Sequence, residues 1–249
     1  LLTLPADFPT SSEVANMSVL GCDLATEYCG RGPLEALARG IALSPLDKAF
    51  RLNLTSVKDG VLTDYSGGHV TQADAEALIA ALNKALGSTS VKFYSGVSYR
   101  NILVLSGTEY SHRVKTDKPD DNHGSRVADH PPQAAAPEAE ATARLLQRLI
   151  AEAPAILESH PVNKRLAKEG QPPANGIWPW SGGTGGAMRS IASKYGITGA
   201  VITAVDVIRG LGRSLGMEII EVPGATGYID TNYEGKAAAA IKALRSHES

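Results

Sequence analysis

Phe50-Arg51-Leu52-Asn53-Leu54-Thr55-Ser56-Val57, Lys58-Asp59-Gly60 and Val61-Leu62-Thr63-Asp64-Tyr65 form the stretch whose reading decides the fold. Two β-rich runs flank an Asp-Gly signal, which reads as a hairpin. Helical periodicity follows at once. Thr71 stands as N-cap before Ala75, Leu78, Ile79, Leu82 and Leu86, one apolar stripe of an amphipathic helix reaching about residue 86. Residues 91–94 and 101–105 are two more predicted strands. Residues 110–137 carry three of the six histidines, four prolines and many charges without periodicity, and read as a mobile loop. A long helix is predicted over 139–159, ended by His160-Pro161, then a short basic helix over 164–169. Beyond it the pattern predicts strand 177–180, a glycine loop 182–186, helix 188–195, strand 200–204, helix 207–215, strand 218–222 and helix 235–246. Toward the N-terminus, Ser11 or Ser12 caps a helix to Leu20 with Glu13 in its first turn. Gly30-Arg31-Gly32-Pro33 breaks the chain before a short helix over 34–39. Strands alternating with helices make this an α/β or α+β chain.

The bulk numbers are those of a globular domain or two. The chain has 249 residues, 43% hydrophobic and 20% charged. A formal net charge of -2 offers no field to recruit nucleic acid or anionic membrane, and 5% aromatics argue against base-stacking platforms. Cys22 and Cys29 have no metal-site spacing and form no disulfide framework, so a cytoplasmic location is expected. No apolar run is long enough to span a membrane; Gly199 to Ile208 is interrupted by Asp206. The N-terminus lacks an initiator Met, a basic region and a cleavage site, and reads as a cut end rather than a signal peptide.

Several residues stand out, each with an ordinary reading beside the chemical one. Ser12 before an apolar helix is ordinarily a cap, yet Gly30-Arg31-Gly32 follows it, and helix-start N–H groups favour anions. Arg51 lies between apolar residues of a predicted strand and Arg100 just before another. A structural ion pair explains either; a planar fork facing phosphate or carboxylate also does. His69 closes the glycine loop Asp64-Tyr65-Ser66-Gly67-Gly68-His69, where side chains are often functional. His160 is explained by chain termination or by ligand binding. His112, His123 and His130 have no metal spacing and read as solvated. Gly182-Gly183-Thr184-Gly185-Gly186 lacks the lysine and the spacing of a nucleotide loop. Gly224 through Lys236 is either a crossover or a segment placing Asp230 or Lys236 in a cleft.

Taken together, these motifs resemble one family. Ser12-Glu13-Val14-Ala15-Asn16-Met17, Gly30-Arg31-Gly32-Pro33-Leu34-Glu35-Ala36 and Phe50-Arg51-Leu52-Asn53-Leu54 are similar to the archaeal-type cofactor-independent phosphoglycerate mutases of the alkaline phosphatase superfamily. So are the 64–69 loop, Gly96-Val97-Ser98-Tyr99-Arg100, His160-Pro161-Val162-Asn163 and residues 224–236. Ile177-Trp178-Pro179-Trp180 resembles a bacterial subgroup that includes proposed homoserine kinases.

The resemblance implies a glycolytic isomerase that interconverts 3- and 2-phosphoglycerate through a phosphoserine, using two divalent metals (Mn, Mg or Zn). Ser12 would be nucleophile and metal ligand. Arg51 and His69 would contact substrate, with Arg31, Arg100 and Lys236 as further contacts. The implied partner is a small phosphorylated acid. The family's other metal ligands lie in an upstream Asp-Gly strand and a long downstream stretch that this sequence does not contain, so a fragment, inactive alone, is expected. Pro119-Asp120-Asp121 replaces the family's Pro-His-Asp run, and Cys22 its usual tyrosine. The implied architecture is α/β with an inserted α+β, mixed-sheet substrate-binding domain over 46–223. It would be flanked by partial alkaline-phosphatase-like core segments, 1–45 with the nucleophile helix and 224–249. Two other functions fit the motifs: a homoserine kinase-like phosphotransferase, and a non-catalytic domain binding a phosphorylated acid.

Overall fold

Asp59 and Gly60 both take positive φ (52° and 77°), the pair of angles that a two-residue turn needs to match the twist of its strands. The hairpin is therefore tight, with Lys58 opposite Val61. The computed structural model describes residues 6–8, 10–185 and 188–247. In chain order its elements are α1 (Ser12–Val19), α2 (Leu24–Glu27), α3 (Arg31–Ala38), β1 (Asp47–Lys58), β2 (Val61–Asp64), α4 (Gln72–Leu86), β3 (Val91–Val97) and β4 (Arg100–Ser106). Then come β5 (Val114–Lys115), β6 (Gln133–Ala134), α5 (Glu140–Ser159), α6 (Pro161–Lys168), β7 (Gly176–Thr184), α7 (Ile191–Tyr195), β8 (Ala200–Val201), α8 (Asp206–Ser214), β9 (Glu218–Ile219) and α9 (Tyr233–His247). The chain divides into two compact units, residues 43–185 and residues 1–42 with 186–249.

The 43–185 unit is built on an antiparallel sheet of order β2-β1-β4-β3, with β7 also paired to β1. Alternation along β1 sorts its side chains to two faces. Phe50, Leu52 and Leu54 join Leu78 and Leu82 of α4 and Leu146, Leu149 and Leu157 of α5 in one buried cluster. Burying each such side chain contributes about 2 kcal/mol. Thr71 caps α4 as its sequence requires, accepting from the Asp74 N–H. His160 ends α5 and caps α6, its ring accepting from the Val162 N–H at 3.2 Å, with Pro161 in the first helical position. That capping role is structural.

Three expectations change here. Residues 110–137 are not a free loop: β5 pairs with β6, Ser125 O accepts from Leu62 N, Gly60 O from Val127 N, and the Thr116 hydroxyl from Ser181 N. Periodicity could not reveal this, because the partners lie on distant strands. His130, expected to be solvated, binds the Asp117 carboxylate at 2.7 Å and lies 5.8 Å from the Trp178 ring. The 182–186 glycines begin as strand, since β7 continues to Thr184 opposite Lys48.

The other unit is helical. Val14 and Met17 of α1, Leu34 of α3 and Val207, Leu211 and Leu215 in and after α8 form its core. Residues 188–223, which the sequence reading groups with the middle of the chain, fall in this unit, where Leu34 and Met17 cover the apolar face of α8. α3 and α8 approach so closely that a Cβ on Gly210 would lie 1.8 Å from the Leu34 carbonyl oxygen. Arg213 donates to the Leu37 and Ala38 carbonyls at 2.8 and 2.9 Å, tying α8 to the last turn of α3. α3 begins at Arg31, three residues earlier than expected; Pro33 is tolerated because the first turn donates no intrahelical hydrogen bond. β8 and β9 form a two-residue parallel pair.

Candidate functional site

The face of β1 opposite the apolar cluster carries the polar side chains. Arg51, Asn53 and Thr55 alternate with Phe50, Leu52 and Leu54, and all three are buried. Arg51 stands opposite Ile102 on β4 and Trp180 on β7. Its guanidinium lies 5.4 Å from the Trp180 ring centroid, within cation–π range. The Trp180 indole N–H donates to Asn53 Oδ1 at 3.0 Å, and Asn53 Nδ2 donates to the Tyr65 carbonyl at 3.0 Å. Asn53 is the register partner of Arg100, so both arginines belong to the same sheet face. The Arg100 guanidinium lies 5.0 Å from the Tyr99 ring, which meets Tyr65 edge-on at 6.0 Å.

His69 is exposed and takes φ of 53°, a left-handed conformation costing a non-glycine residue about 1–2 kcal/mol. The 64–69 loop holds it there. Asp64 accepts from Ser66 N, Ser66 Oγ and Gly68 N, and Ser66 Oγ accepts from His69 N. Gly67, at φ of 61°, lets the loop pass close to β1: a Cβ there would meet the Leu54 carbonyl at 3.1 Å.

In the helical unit, Ser12 opens α1 and is exposed. Its neighbour Glu13 is buried, with Oε2 4.0 Å from Arg31 Nη1. Arg31 Nε donates to Glu35 at 2.6 Å. Arg31 thus faces two carboxylates, which reduces its pull on a third anion. Lys236 Nζ donates to the Thr226 carbonyl at 3.3 Å on the 224–236 segment. Among the described residues, no hydrogen bond or ion pair joins Lys236 to Ser12 or Arg31. The strongest electrostatic feature of this unit is structural. Burial would raise the Glu27 pKa, but hydrogen bonds from Lys194 and from the Asp23 and Arg189 N–H groups hold it at about 2. Burial pushes the Cys29 thiol up to about 12, so it is an inert core group.

Among the described residues no group of three or more His, Cys, Asp or Glu side chains could hold a metal ion. Ser12 supplies one oxygen, and that does not make a two-metal centre. The residues present therefore do not fit the implied metals by themselves.

Of the six residues singled out by sequence, the structure gathers Arg51 and Arg100 on one face and fixes His69 on a braced loop. Asn53, Tyr65, Tyr99 and Trp180 were not singled out. Arg51 and Asn53 at alternate positions of an otherwise apolar strand were the available signal; Trp180 stood in a Trp-Pro-Trp run read only as a subgroup marker.

The fold that carries this face is mixed α/β. The chain is a member of the 2,3-bisphosphoglycerate-independent phosphoglycerate mutase family, whose model matches residues 1–163. A Methanosarcina acetivorans enzyme of that name is 44% identical over 246 residues, covering 99% of this chain and 60% of the relative. A Geobacter sulfurreducens protein described as a probable enzyme of the same name is 41% identical, covering 99% and 61%. This chain thus spans about 60% of the length of the curated relatives it matches. A solved cofactor-independent phosphoglycerate mutase from Thermoplasma acidophilum superposes with a TM-score of 0.63 at 33% identity, covering 96% of this chain and 62% of that one. A Pyrococcus horikoshii protein gives 0.70 at 25% identity, covering 96% and 54%.

Proposed function

We propose that this chain is part of a metal-dependent phosphotransferase that interconverts 3-phosphoglycerate and 2-phosphoglycerate in glycolysis, through a phosphoserine on Ser12. The carrying observation is the family match over 1–163, a span that includes Ser12, Arg31, Arg51, His69 and Arg100. In this reading the Ser12 oxygen forms its bond to phosphorus as the substrate's ester oxygen leaves, and the phosphoryl group returns to the other hydroxyl. Arg51 and Arg100 bind the anionic ends of the phosphoglycerate, with Trp180 and Asn53 holding the Arg51 side of the face in place. His69 supplies a hydrogen bond from its braced loop, and Arg31 and Lys236 are further substrate contacts. The metals that the family resemblance implies would need ligands beyond the described residues, of which the resemblance offers only the Ser12 oxygen.

In the same proposal, residues 43–185 are an inserted substrate-binding domain, and the helical unit is part of an alkaline-phosphatase-like core. The parallel β8–β9 pair and the exposed Ile241 and Leu244 of α9 support the second half, since parallel strands ordinarily lie between covered faces. A cytoplasmic location is supported by two buried free cysteines, and no described helix is long and apolar enough to cross a membrane.

The test is turnover of 3-phosphoglycerate by the whole natural protein with Mn²⁺. Ser12→Ala should cost at least about a thousandfold in kcat with the fold intact by circular dichroism. Unchanged turnover in Ser12→Ala would sink the proposal.

A further inference from the structure

The 43–185 unit holds a second feature that the Arg51 face does not use. A cavity of about 390 Å³ lies among the β1–β2 turn, the 126–132 segment, α5 and the start of β7. Its lining includes Val57, Ile150, Ala151 and Ile177, an apolar body of the size that takes small ligands. None of Arg51, Asn53, Arg100 or Trp180 lines it.

Two lining residues carry charge chemistry. Arg126 is exposed, and among the described residues no carboxylate lies within ion-pair distance of its guanidinium. His130 is oriented: Nδ1 lies 2.7 Å from Asp117 Oδ2. Asp117 is fixed in turn, because its carbonyl accepts from the Trp178 indole N–H at 2.9 Å. A carboxylate only accepts, so Nδ1 carries the proton of that bond and Nε2 is left as an acceptor, with nothing to offer an anion.

The remaining lining is poor in donors. Pro131, Pro132 and Pro154 have no N–H, and the Gln147 amide already donates to the Pro132 carbonyl at 2.7 Å. The Arg126 guanidinium fork can satisfy the two oxygens of a carboxylate. It would leave much of a phosphate's third oxygen and second charge unmet, in a cavity otherwise apolar.

We propose that this cavity is a binding site for a small monocarboxylate with an apolar body, its carboxylate held by the Arg126 fork and its body packed on Val57, Ile150 and Ile177. The site is distinct from the Arg51 face and does not depend on the phosphotransfer reading.

The probe is 3-phenylpropionate added to the ¹⁵N-labelled chain. The reporter is the Trp178 indole N–H resonance, assigned by its loss in Trp178→Phe. A saturable shift is expected, with affinity weakened about tenfold in Arg126→Ala, a loss of about 1.4 kcal/mol, and similarly weakened for the neutral 3-phenylpropanol. Arg126→Gln is the second variant should Arg126→Ala perturb the rest of the spectrum. No saturable shift, or equal binding by the arginine variants and by the alcohol, overturns the proposal.

Discussion

In the 43–185 unit, β1 turns into β2 through two residues and β3 into β4 through two more, so much of the sheet is made by chain neighbours. The helical unit is made the other way. Arg213 of α8 caps α3 from 176 residues away, and Lys194 meets Glu27 from 167. The first unit lays its arginines, buried Arg51 and exposed Arg100, across a sheet face whose register is set locally. The second buries an ion pair that neither end of the chain could form alone. A site residue in the first unit inherits its position from strand register; one in the second depends on distant packing.

The largest break in this comparison is Phe50→Ala. Phe50 is fully buried, and its removal should cost about 4 kcal/mol, read by urea denaturation. Hydrogen exchange should show the loss in β1 and β4 while α3 and α8 keep their protection. Uniform loss would mean that the two units do not unfold separately.

Glu27→Gln comes next. It leaves the Lys194 ammonium, 5% exposed, without its charge partner, at a cost of about 3 kcal/mol. Folding lowers the Glu27 pKa from 4.5 to about 2, so the folded unit binds that proton more weakly than the unfolded chain. The stabilisation is complete above about pH 4.5 and disappears as pH falls through about 2. Tm against pH should therefore drop more steeply over that window in the natural chain than in Glu27→Gln. Parallel curves would contradict the assignment.

Gly210→Ala is smaller. Its Cβ forces α3 and α8 apart, for about 2 kcal/mol in the helical unit. A fully neutral result by thermal unfolding would refute the close approach. The smallest effect is His69→Gly, which relieves the left-handed φ and should change stability by less than about 1 kcal/mol, in the favourable direction. Its KM for 3-phosphoglycerate should rise all the same; an unchanged KM would remove His69 from the substrate site.

What was legible in the sequence follows the same division. The 58–60 hairpin, the Thr71 cap and the apolar stripe of α4 are local signals, and each formed as read. Arg51 inside an apolar strand was a readable anomaly, because burying a guanidinium requires specific company. Its company, Trp180, is 129 residues away in sequence and comes through strand pairing, which periodicity does not encode. The 110–137 segment was misread for the same reason: its proline and charge content describes the segment alone, while its order comes from bonds to β2 and β7. The grouping of α8 with α3 is not written in local sequence, because only the facing apolar surface of α3 says where α8 packs.

The closeness of Gly210 to the Leu34 carbonyl has a further consequence, in time rather than space. Synthesis runs from the N-terminus, and at ordinary elongation rates α3 leaves the ribosome on the order of ten seconds before α8 exists. The intervening 43–185 unit can complete its sheet in that interval. Until α8 is made, Leu34 and Met17 lack the cover that Val207, Leu211 and Leu215 give them in the folded unit.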